Sequence, residues 1–293
     1  MQILRGRRSA VYRLAISPDS RFVAAGGRKE LHVWDLHDPD AKPTRHAERS
    51  NSLQFFDDGR LFSASHAGWR LHDPVGGRVV HWARTGDGYT WEAVSPCGQL
   101  VLQPEDDGLC CWRVGEDSLG LQRELVWSLP RETLSGGGVF SPDAECFAHF
   151  CMTVTPFWAS WVVHRVSDGK RLAQLETRHR LGAWEFTPDG GTLLARVQSR
   201  LYAWDARAGG AGRLAVRHPT GRHFRSVAVH PGGATLAGIT GDNGVSLFDL
   251  ASGDLLRTYD WRVGRLDRVA FTPDGTRCVV AGSSGKVLLF DVD

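Results

Sequence analysis

The sequence predicts an all-β fold built from seven repeats, and three observations support this prediction. An apolar segment runs seven times into the same kind of tight turn, with Ser or Thr, Pro, Asp and Gly as its consensus. The Pro of each turn, or the Asp in its place, follows the previous one by 39 to 46 residues, so the repeats fill the chain. No segment shows a 3.6-residue apolar period, so we expect almost no helix. The seven turns are Ser17-Pro18-Asp19, Phe56-Asp57-Asp58-Gly59, Ser95-Pro96-Cys97-Gly98, Ser141-Pro142-Asp143, Thr187-Pro188-Asp189-Gly190, His230-Pro231-Gly232-Gly233 and Thr272-Pro273-Asp274-Gly275.

The residues of these turns explain why the turn recurs. Pro presets φ, Asp bonds the backbone beyond it, and Gly takes a position with positive φ. A period near 40 residues that fills a chain is typical of a repeat architecture, in which each repeat is one supersecondary unit.

The last repeat shows how many strands one unit contains. Asp267–Phe271 is a short apolar strand before the turn Thr272–Gly275, and Cys278–Gly282 and Val287–Asp291 are the next two strands. In the preceding unit, Leu255–Tyr259 follows as a fourth strand. Four short strands separated by Gly, Asp and Ser turns are typical of one antiparallel propeller blade. The sequence therefore predicts a seven-bladed β-propeller with four-stranded antiparallel blades.

The two ends of the chain predict how the ring closes. The seventh unit lacks a fourth strand, whereas Gln2–Arg5 precedes the first unit in the same way as Leu255–Thr258 precedes the seventh. An N-terminal strand that completes the last blade would remove an open sheet edge, which is a site of aggregation. We expect a single propeller domain over residues 1–293, closed by its N-terminal strand.

The third strands carry a resemblance to a known family. They end on Trp34-Asp35, Trp204-Asp205, Phe248-Asp249 and Phe290-Asp291, and the chain resembles the WD-repeat (Trp-Asp repeat) β-propeller family, in its prokaryotic type with divergent repeats. The resemblance implies a non-enzymatic scaffold for protein–protein interaction. Where this sequence departs from the family pattern, we expect the family's His–Ser/Thr–Asp–Trp hydrogen-bond network to be incomplete, and this applies to every blade. The departures are His46 as the one residue at the family's His position, Asp107 and Asp242 as the remaining turn aspartates, and His72-Asp73, Trp112-Arg113 and His164-Arg165 at the Trp-Asp position.

Composition limits the class of protein. The chain has 293 residues, of which 42% are hydrophobic, and its net charge of +2 indicates no particular partner. Its six cysteines lack the spacing of a disulfide framework, which favours free thiols in a reducing compartment. There is no signal-peptide pattern and no apolar run of 18 residues. We therefore expect a cytoplasmic protein without a membrane partner.

No catalytic, phosphate-binding or metal-binding motif stands out, so we expect no enzyme activity, no cofactor and no metal. Neighbouring Cys110 and Cys111 point to opposite faces of a strand, which favours burial over metal binding. Glu92 and Glu185 differ from the other residues in innermost strands, where Leu, Val or Ala is usual. A carboxylate there must be paired, hydrated or shifted in pKa. Two interpretations stay open: a polar channel lining, or a channel-mouth site for a small ligand or a hydrolase reaction.

Propeller topology predicts two faces of different charge. Turns after each first strand lie on the bottom face and carry aspartates, which turn chemistry alone explains. Loops that lead into the first strands lie on the top face and are rich in arginine, which is not a preferred turn former. Arginine binds carboxylate and phosphate groups through two hydrogen bonds, so we expect an acidic protein or peptide to dock there. The alternative is scattered, solvated arginine. The predicted arginines are Arg8, Arg49, Arg84, Arg180, Arg222, Arg225 and Arg265.

Aromatic residues add a second feature to the top face. Met152–Ala159 is predicted as the longest loop between a second and a third strand, with Phe157 and Trp158 at its tip as interface anchors. Trp261 is expected to join them. The alternative is a loop that folds back over its blade. Nucleic-acid binding by the arginines ranks last, because few aromatic residues are available there for base stacking.

Overall fold

The structure is a computed structural model that describes residues 1–4, 9–38, 40–65, 67–83, 93–105, 108–115, 123–130, 134–154, 157–177, 181–209, 212–241 and 243–292. Every regular element in these ranges is a β-strand, and the 28 strands form seven four-stranded antiparallel sheets. The fold is a seven-bladed β-propeller, which confirms the prediction. In the ranges above, no helix is long and apolar enough to cross a membrane.

The chain separates into two compact units, Met1–Arg84 with Val216–Asp293 as unit 1 and Thr85–Ala215 as unit 2. A single domain over residues 1–293 stays a prediction. Unit 1 contains four blades. Their strands are β2 (Arg13–Ile16), β3 (Phe22–Gly26), β4 (Leu31–Asp35) and β5 (Thr44–His46) in blade 1; β6 (Ser52–Phe55), β7 (Leu61–Ser65), β8 (Gly68–Asp73) and β9 (Arg78–Ala83) in blade 2; β22 (Val227–Val229), β23 (Thr235–Ile239), β24 (Gly244–Asp249) and β25 (Leu255–Asp260) in blade 6; and β26 (Leu266–Phe271), β27 (Arg277–Gly282), β28 (Val287–Asp291) and β1 (Gln2–Leu4) in blade 7.

Unit 2 contains the other three blades, each with its strands in chain order. These strands are β10 (Ala93–Val94), β11 (Leu100–Glu105), β12 (Gly108–Val114) and β13 (Arg123–Pro130) in blade 3; β14 (Leu134–Phe140), β15 (Cys146–Val154), β16 (Phe157–Arg165) and β17 (Arg171–Thr177) in blade 4; and β18 (Leu181–Phe186), β19 (Thr192–Val197), β20 (Arg200–Asp205) and β21 (Arg213–Arg217) in blade 5. We call the end of a blade at which its first strand begins and its second strand ends the top end, and the opposite end the bottom end.

Blade 7 is completed by the N-terminal strand, as predicted. Gln2 lies opposite Leu289 and Leu4 lies opposite Val287 in an antiparallel ladder. Leu4 is buried in a core cluster that also includes Trp34 of blade 1. Strand β1 at the N-terminus is therefore held in blade 7 by both backbone hydrogen bonds and apolar packing.

The clusters of buried residues lie between neighbouring blades, where apolar side chains of their second and third strands meet. In unit 1, one cluster joins blades 6 and 7 around Phe271 and Phe290. In unit 2, a cluster between blades 4 and 5 contains Trp161, Phe186 and Trp204. Burial of side chains of this size stabilises the fold by about 1.5–3 kcal/mol each.

The recurring turns are closed by their own side chains at the bottom ends. Ser17 Oγ donates to Asp19 Oδ1 at 2.5 Å and accepts a hydrogen bond from the Phe22 backbone N–H at 2.7 Å. A Ser or Thr hydroxyl donates to an aspartate in the same way in three more turns, with a donor–acceptor distance of 2.5 Å. These aspartates therefore accept hydrogen bonds within their own turns. The pairs are Ser141–Asp143, Thr187–Asp189 and Thr272–Asp274.

The prediction of a long loop over Met152–Ala159 is wrong. Strand β15 continues to Val154 and β16 begins at Phe157, so that Val154 lies opposite Phe157 and Thr153 opposite Trp158. β-Branched and aromatic residues favour strands, and here they extend the ladder of the hairpin. Phe157 and Trp158 are strand residues, and residues 155–156 lie outside the described ranges.

Candidate partner-binding surface

The structure describes four of the seven arginines predicted to bind a partner. Arg49 lies at the top end of blade 2, Arg222 and Arg225 at the top end of blade 6, and Arg265 at the top end of blade 7, and all four are exposed. These four belong to unit 1. The other three, Arg8, Arg84 and Arg180, lie outside the described residues.

The three predicted aromatic anchors do not form a described surface patch. The side chains of Phe157 and Trp158 lie outside what the structure describes. Trp261 is half-buried and stacks on Tyr259 with a centroid distance of 5.4 Å, and its ring lies 4.6 Å from that of Phe290. It packs against the core between blades 6 and 7. The contacts of Trp261 therefore support the fold.

Two of the predicted arginines converge on one acidic residue that sequence analysis did not single out. Arg265 Nε lies 3.0 Å and Arg225 Nη1 lies 3.8 Å from Asp267 Oδ1. The Asp267 side chain is only 13% exposed. Asp267 could not be identified as a site residue from the sequence, because a polar residue at the start of a first strand belongs to no distinctive motif.

Two further arginines lie in the first strands and were missed. Arg13 begins β2, and its Nε donates to the Asn51 carbonyl oxygen at 2.5 Å while its Nη1 donates to the Tyr12 carbonyl oxygen at 2.9 Å. Arg268 lies in β26 and donates from Nη1 to the Asp267 carbonyl oxygen at 2.8 Å. Both side chains are half-buried, and neither is ion-paired with a carboxylate of the described residues.

The electrostatic environment of these two residues is unusual for arginine. Burial lowers the pKa of Arg13, and the charge of Arg268 lowers it further. Burial also lowers the pKa of Arg268, while Asp267 opposes that shift. A guanidinium nevertheless remains protonated in proteins. We call Arg13, Arg225, Arg265 and Arg268 the arginine cluster; Arg225 and Arg265 contact the carboxylate of Asp267, and the charge of Arg268 acts on Arg13.

The loop that carries Arg49 is anchored by a buried network in blade 2. Ser63 Oγ donates to Glu48 Oε1 at 2.7 Å, and His72 Nε2 lies 2.8 Å from Ser63 Oγ and 3.3 Å from Glu48 Oε1. Arg70 Nη1 pairs with Glu48 Oε2 at 2.7 Å. Burial alone would raise the pKa of Glu48, but its bonds to His72 and Ser63 and the charge of Arg70 hold it below the usual value.

In blade 2, this network of Glu48, Ser63, His72 and Arg70 takes the place of the family's His–Ser/Thr–Asp–Trp network, which the sequence predicts to be incomplete. His72 stands where the family has Trp, and Glu48 reaches the same buried serine from the loop. The next residues of the loop are also held, since the Ser50 N–H donates to the Gly27 carbonyl and the Asn51 N–H to the Ala64 carbonyl. The Asn51 carbonyl that receives Arg13 is therefore fixed in place.

Blade 4 builds a second substituted network. His149 Nε2 lies 3.2 Å from His164 Nε2, Cys151 Sγ lies 3.4 Å from His149 Nδ1, and His164 Nδ1 lies 2.8 Å from the Gly169 carbonyl. If both imidazoles are neutral, each of these three contacts can hold one proton between a donor and an acceptor. Burial and the neighbouring His164 lower the pKa of His149 to about 3, which keeps it neutral.

One further arginine at the top end of blade 1 is already paired. Arg45 Nη2 lies 3.1 Å from Glu30 Oε1 in blade 1, which neutralises one arginine of that blade. Arg49 donates from Nε to Asn51 Oδ1 at 3.0 Å and keeps its full charge. The basic excess of unit 1 is thus concentrated in the arginine cluster and in exposed neighbours such as Arg49 and Arg222.

The alternative site in the channel gains no support from the described residues. Glu92 lies outside them. Glu185 is half-buried in β18, opposite Leu194. No group of three His, Cys, Asp or Glu residues within the described ranges could hold a metal ion. Cys111 is a buried free thiol, and burial raises its pKa to about 12.

Comparison with known proteins supports a WD-repeat propeller. The family model described as "WD domain, G-beta repeat" matches residues 1–35. Eukaryotic translation initiation factor 3 subunit I of Coccidioides immitis (strain RS) is 32% identical over 113 residues, which is 36% of this chain. The matched region spans 32% of that protein, about a third of its length.

A solved structure extends the likeness to the whole fold. The β-propeller domain of Cps50 (Swd1) from Myceliophteria thermophila has a TM-score of 0.76 and covers 100% of this chain and 99% of its own. Its sequence identity of 15% means that this likeness shows the fold alone. The chain is therefore similar to WD-repeat proteins in its first blade and to a WD-type propeller in its architecture.

Proposed function

We propose that this protein is a non-enzymatic scaffold that docks an acidic segment of another protein on the top ends of its blades. The observation that carries the proposal is the arginine cluster, in which Arg225 and Arg265 share the Asp267 carboxylate while Arg13 and Arg268 bond only backbone carbonyls. Arginine is suited to such docking because it offers paired N–H donors to carboxylate or phosphate groups. The similarity to a translation initiation factor subunit also supports a role within a protein assembly.

Two finer features belong to the same proposal. Six free cysteines, five of them buried, support a reducing compartment and hence a cytoplasmic protein. The substituted networks of blades 2 and 4 support a divergent, prokaryotic-type repeat, because His72 and His164 take the position of the family's Trp. Fold alone does not establish function, so the binding surface itself has to be tested.

The test compares partner capture by the wild-type protein and a surface variant. The variant Arg49→Glu, Arg222→Glu, Arg265→Ala changes exposed side chains only. Arg78→Glu is the matched control, because Arg78 is 75% exposed and begins a fourth strand at the bottom end of blade 2. Proteins captured from lysate are identified, produced pure and titrated against all three forms.

We expect the triple variant to weaken binding about tenfold or more, with a dependence on salt, and the control to bind like the wild type. Equal binding by all three folded forms would contradict the proposal. A response to single-stranded RNA or DNA whose affinity falls steeply with salt would favour nucleic-acid binding instead. Unchanged melting temperatures confirm that each variant is folded.

A further inference from the structure

Arg13 and Arg268 lie close together at the junction of blades 7 and 1 in unit 1. The Val11 N–H donates to the Gly282 carbonyl oxygen at 3.0 Å, which ties the entry to β2 to the end of β27. Arg13 follows Val11 by two positions, and Arg268 lies opposite Ala281, the neighbour of Gly282. The charge of Arg268 acts on Arg13 across this junction.

The two guanidinium groups have more donors than the protein satisfies. Each guanidinium has five N–H donors. Arg13 uses two of its nitrogens on the carbonyl oxygens of Asn51 and Tyr12, and Arg268 uses one on the carbonyl oxygen of Asp267. All three acceptors are neutral carbonyls, so the remaining N–H groups and both positive charges stay available.

No carboxylate of the described residues forms an ion pair with Arg13 or Arg268. Asp267 acts electrostatically on Arg268, but Arg225 and Arg265 already approach its Oδ1. Two like charges that are half-buried side by side repel each other more strongly than they would in bulk water. A bound oxyanion would offset this repulsion and accept the free N–H groups at the same time.

We propose that Arg13 and Arg268 form an oxyanion pocket that receives one carboxylate or phosphate group of the docked acidic segment. The inference rests on the proposed function, since the group belongs to the partner that the top ends bind. Arg225 and Arg265 lie beside the pocket and attract the segment. The guanidinium carbon of Arg28 lies 5.6 Å from the centre of the ring of Tyr12, the residue that precedes Arg13.

The test uses small probes, so it does not depend on finding the partner. Inorganic phosphate, an Asp/Glu-rich peptide and a phosphoserine peptide are titrated into the full-length protein by calorimetry at constant ionic strength. The forms compared are wild type, Arg268→Gln and the control Arg78→Gln. Arg268 is preferred to Arg13 because its side chain makes one hydrogen bond, to a neighbouring carbonyl, so its loss leaves the fold intact.

We expect at least one probe to bind the wild type and the control equally, and Arg268→Gln to raise its dissociation constant about tenfold or more. Preference for the phosphoserine peptide over the Asp/Glu-rich peptide would identify the bound group as phosphate, and the reverse preference as carboxylate. Arg268→Lys, which keeps the charge but loses the paired donors, is expected to restore only part of the affinity.

The pocket would be disproved by probe binding that is the same in Arg268→Gln and wild type, or by no binding of any probe. If the pocket fails while partner capture still depends on Arg49, Arg222 and Arg265, the proposed function stands without it. If phosphate binds as expected but the triple variant captures its partner normally, the pocket stands and the docking proposal is wrong.

Discussion

The bottom and top ends of the blades use charged residues in different ways. At the bottom ends, four turn aspartates accept a hydrogen bond from a Ser or Thr two residues earlier, as Asp19 does from Ser17, and Asp143 also pairs with Arg207 across 64 positions. At the top ends, the bonds connect distant parts of the chain: Glu48 reaches Ser63 across 15 positions, and Arg13 reaches Asn51 across 38. Local partners satisfy a charge within its turn, whereas distant partners tie one blade to the next.

This difference is the reason why we propose the basic top ends, and not the acidic bottom ends, as the docking surface. Asp19 already accepts hydrogen bonds from Ser17 Oγ and from the Arg21 backbone N–H. The side chains of Arg13 and Arg268 donate hydrogen bonds only to backbone carbonyls, and neither forms an ion pair with a carboxylate of the described residues. Net charge by itself would have missed this contrast, because the chain carries only +2.

The largest expected effect comes from the buried carboxylate at the top end of blade 2. We expect Glu48→Ala to lower the free energy of unfolding by about 3 kcal/mol, because it leaves His72, Ser63 and Arg70 without their shared partner. Urea denaturation followed by tryptophan fluorescence measures this change. Glu48→Gln keeps an acceptor and should lose less.

The matched control for this prediction is an exposed carboxylate. Glu124 is 74% exposed and lies 3.5 Å from Arg113. Glu124→Ala should cost less than about 0.5 kcal/mol, as surface ion pairs usually do. Comparable losses in the two alanine variants would show that the network around Glu48 does not anchor the loop.

A smaller effect is expected where the end of strand β3 closely approaches the loop that carries Arg49 and Ser50. A Cβ added at Gly26 would lie 2.7 Å from the Cβ of Ser50, so Gly26→Ala must displace the loop that carries Asn51. We expect a loss of about 2 kcal/mol in the free energy of unfolding, measured as above, because overpacking forces the backbone to shift. The same shift would move the Asn51 carbonyl away from Arg13.

Gly241→Ala serves as the control for steric crowding. Nothing lies within 4 Å of a Cβ added at Gly241. This substitution should leave stability within about 0.5 kcal/mol of the wild type. A loss at Gly241 equal to that at Gly26 would show that backbone freedom, and not the contact with Ser50, explains the need for glycine at residue 26.

Sequence analysis predicted the parts of the molecule that depend on local spacing. The seven turns and the four-stranded blade follow from residues close in the chain, the closing strand at Gln2 follows from comparing the two chain ends, and the structure has all of them. The extended hairpin of blade 4 was missed because Thr155-Pro156 reads as loop sequence, although aromatic Phe157 and Trp158 favour a strand.

The candidate site was only partly predictable, for a physical reason. Arg222, Arg225 and Arg265 were identifiable because arginine is unusual in a turn. Arg13 and Arg268 belong to strands, and only the three-dimensional packing of β2 against β26 brings their charges together. The replacement of Trp by His72 was visible in the sequence, but its partner Glu48 became recognisable only through their hydrogen bonds to Ser63.

The smallest expected effect tests the local chemistry of the bottom ends. Thr272 Oγ1 donates to Asp274 Oδ1 at 2.5 Å and accepts from the Arg277 N–H at 3.0 Å. Thr272→Val keeps the shape of the side chain and removes both bonds, so we expect a loss of about 1 kcal/mol in the free energy of unfolding at pH 7. Thr235→Val, at the start of β23, is the control, because no hydrogen bond of the Thr235 side chain to another described residue is present.

The pH dependence of this loss separates a charged turn from a merely well-packed one. Partial burial alone would raise the pKa of Asp274, but hydrogen bonds from Thr272 and Thr276 lower it. A lowered folded-state pKa adds stability that is fully present above the unfolded value of about 4 and is lost as pH falls through the folded value. The difference between wild type and Thr272→Val should therefore be largest above about pH 4 and narrow below it. A difference that stays constant down to pH 2 would mean that the hydroxyl acts through its bond to Arg277 and not through the carboxylate, and the turn aspartates would then add less to stability than their geometry indicates.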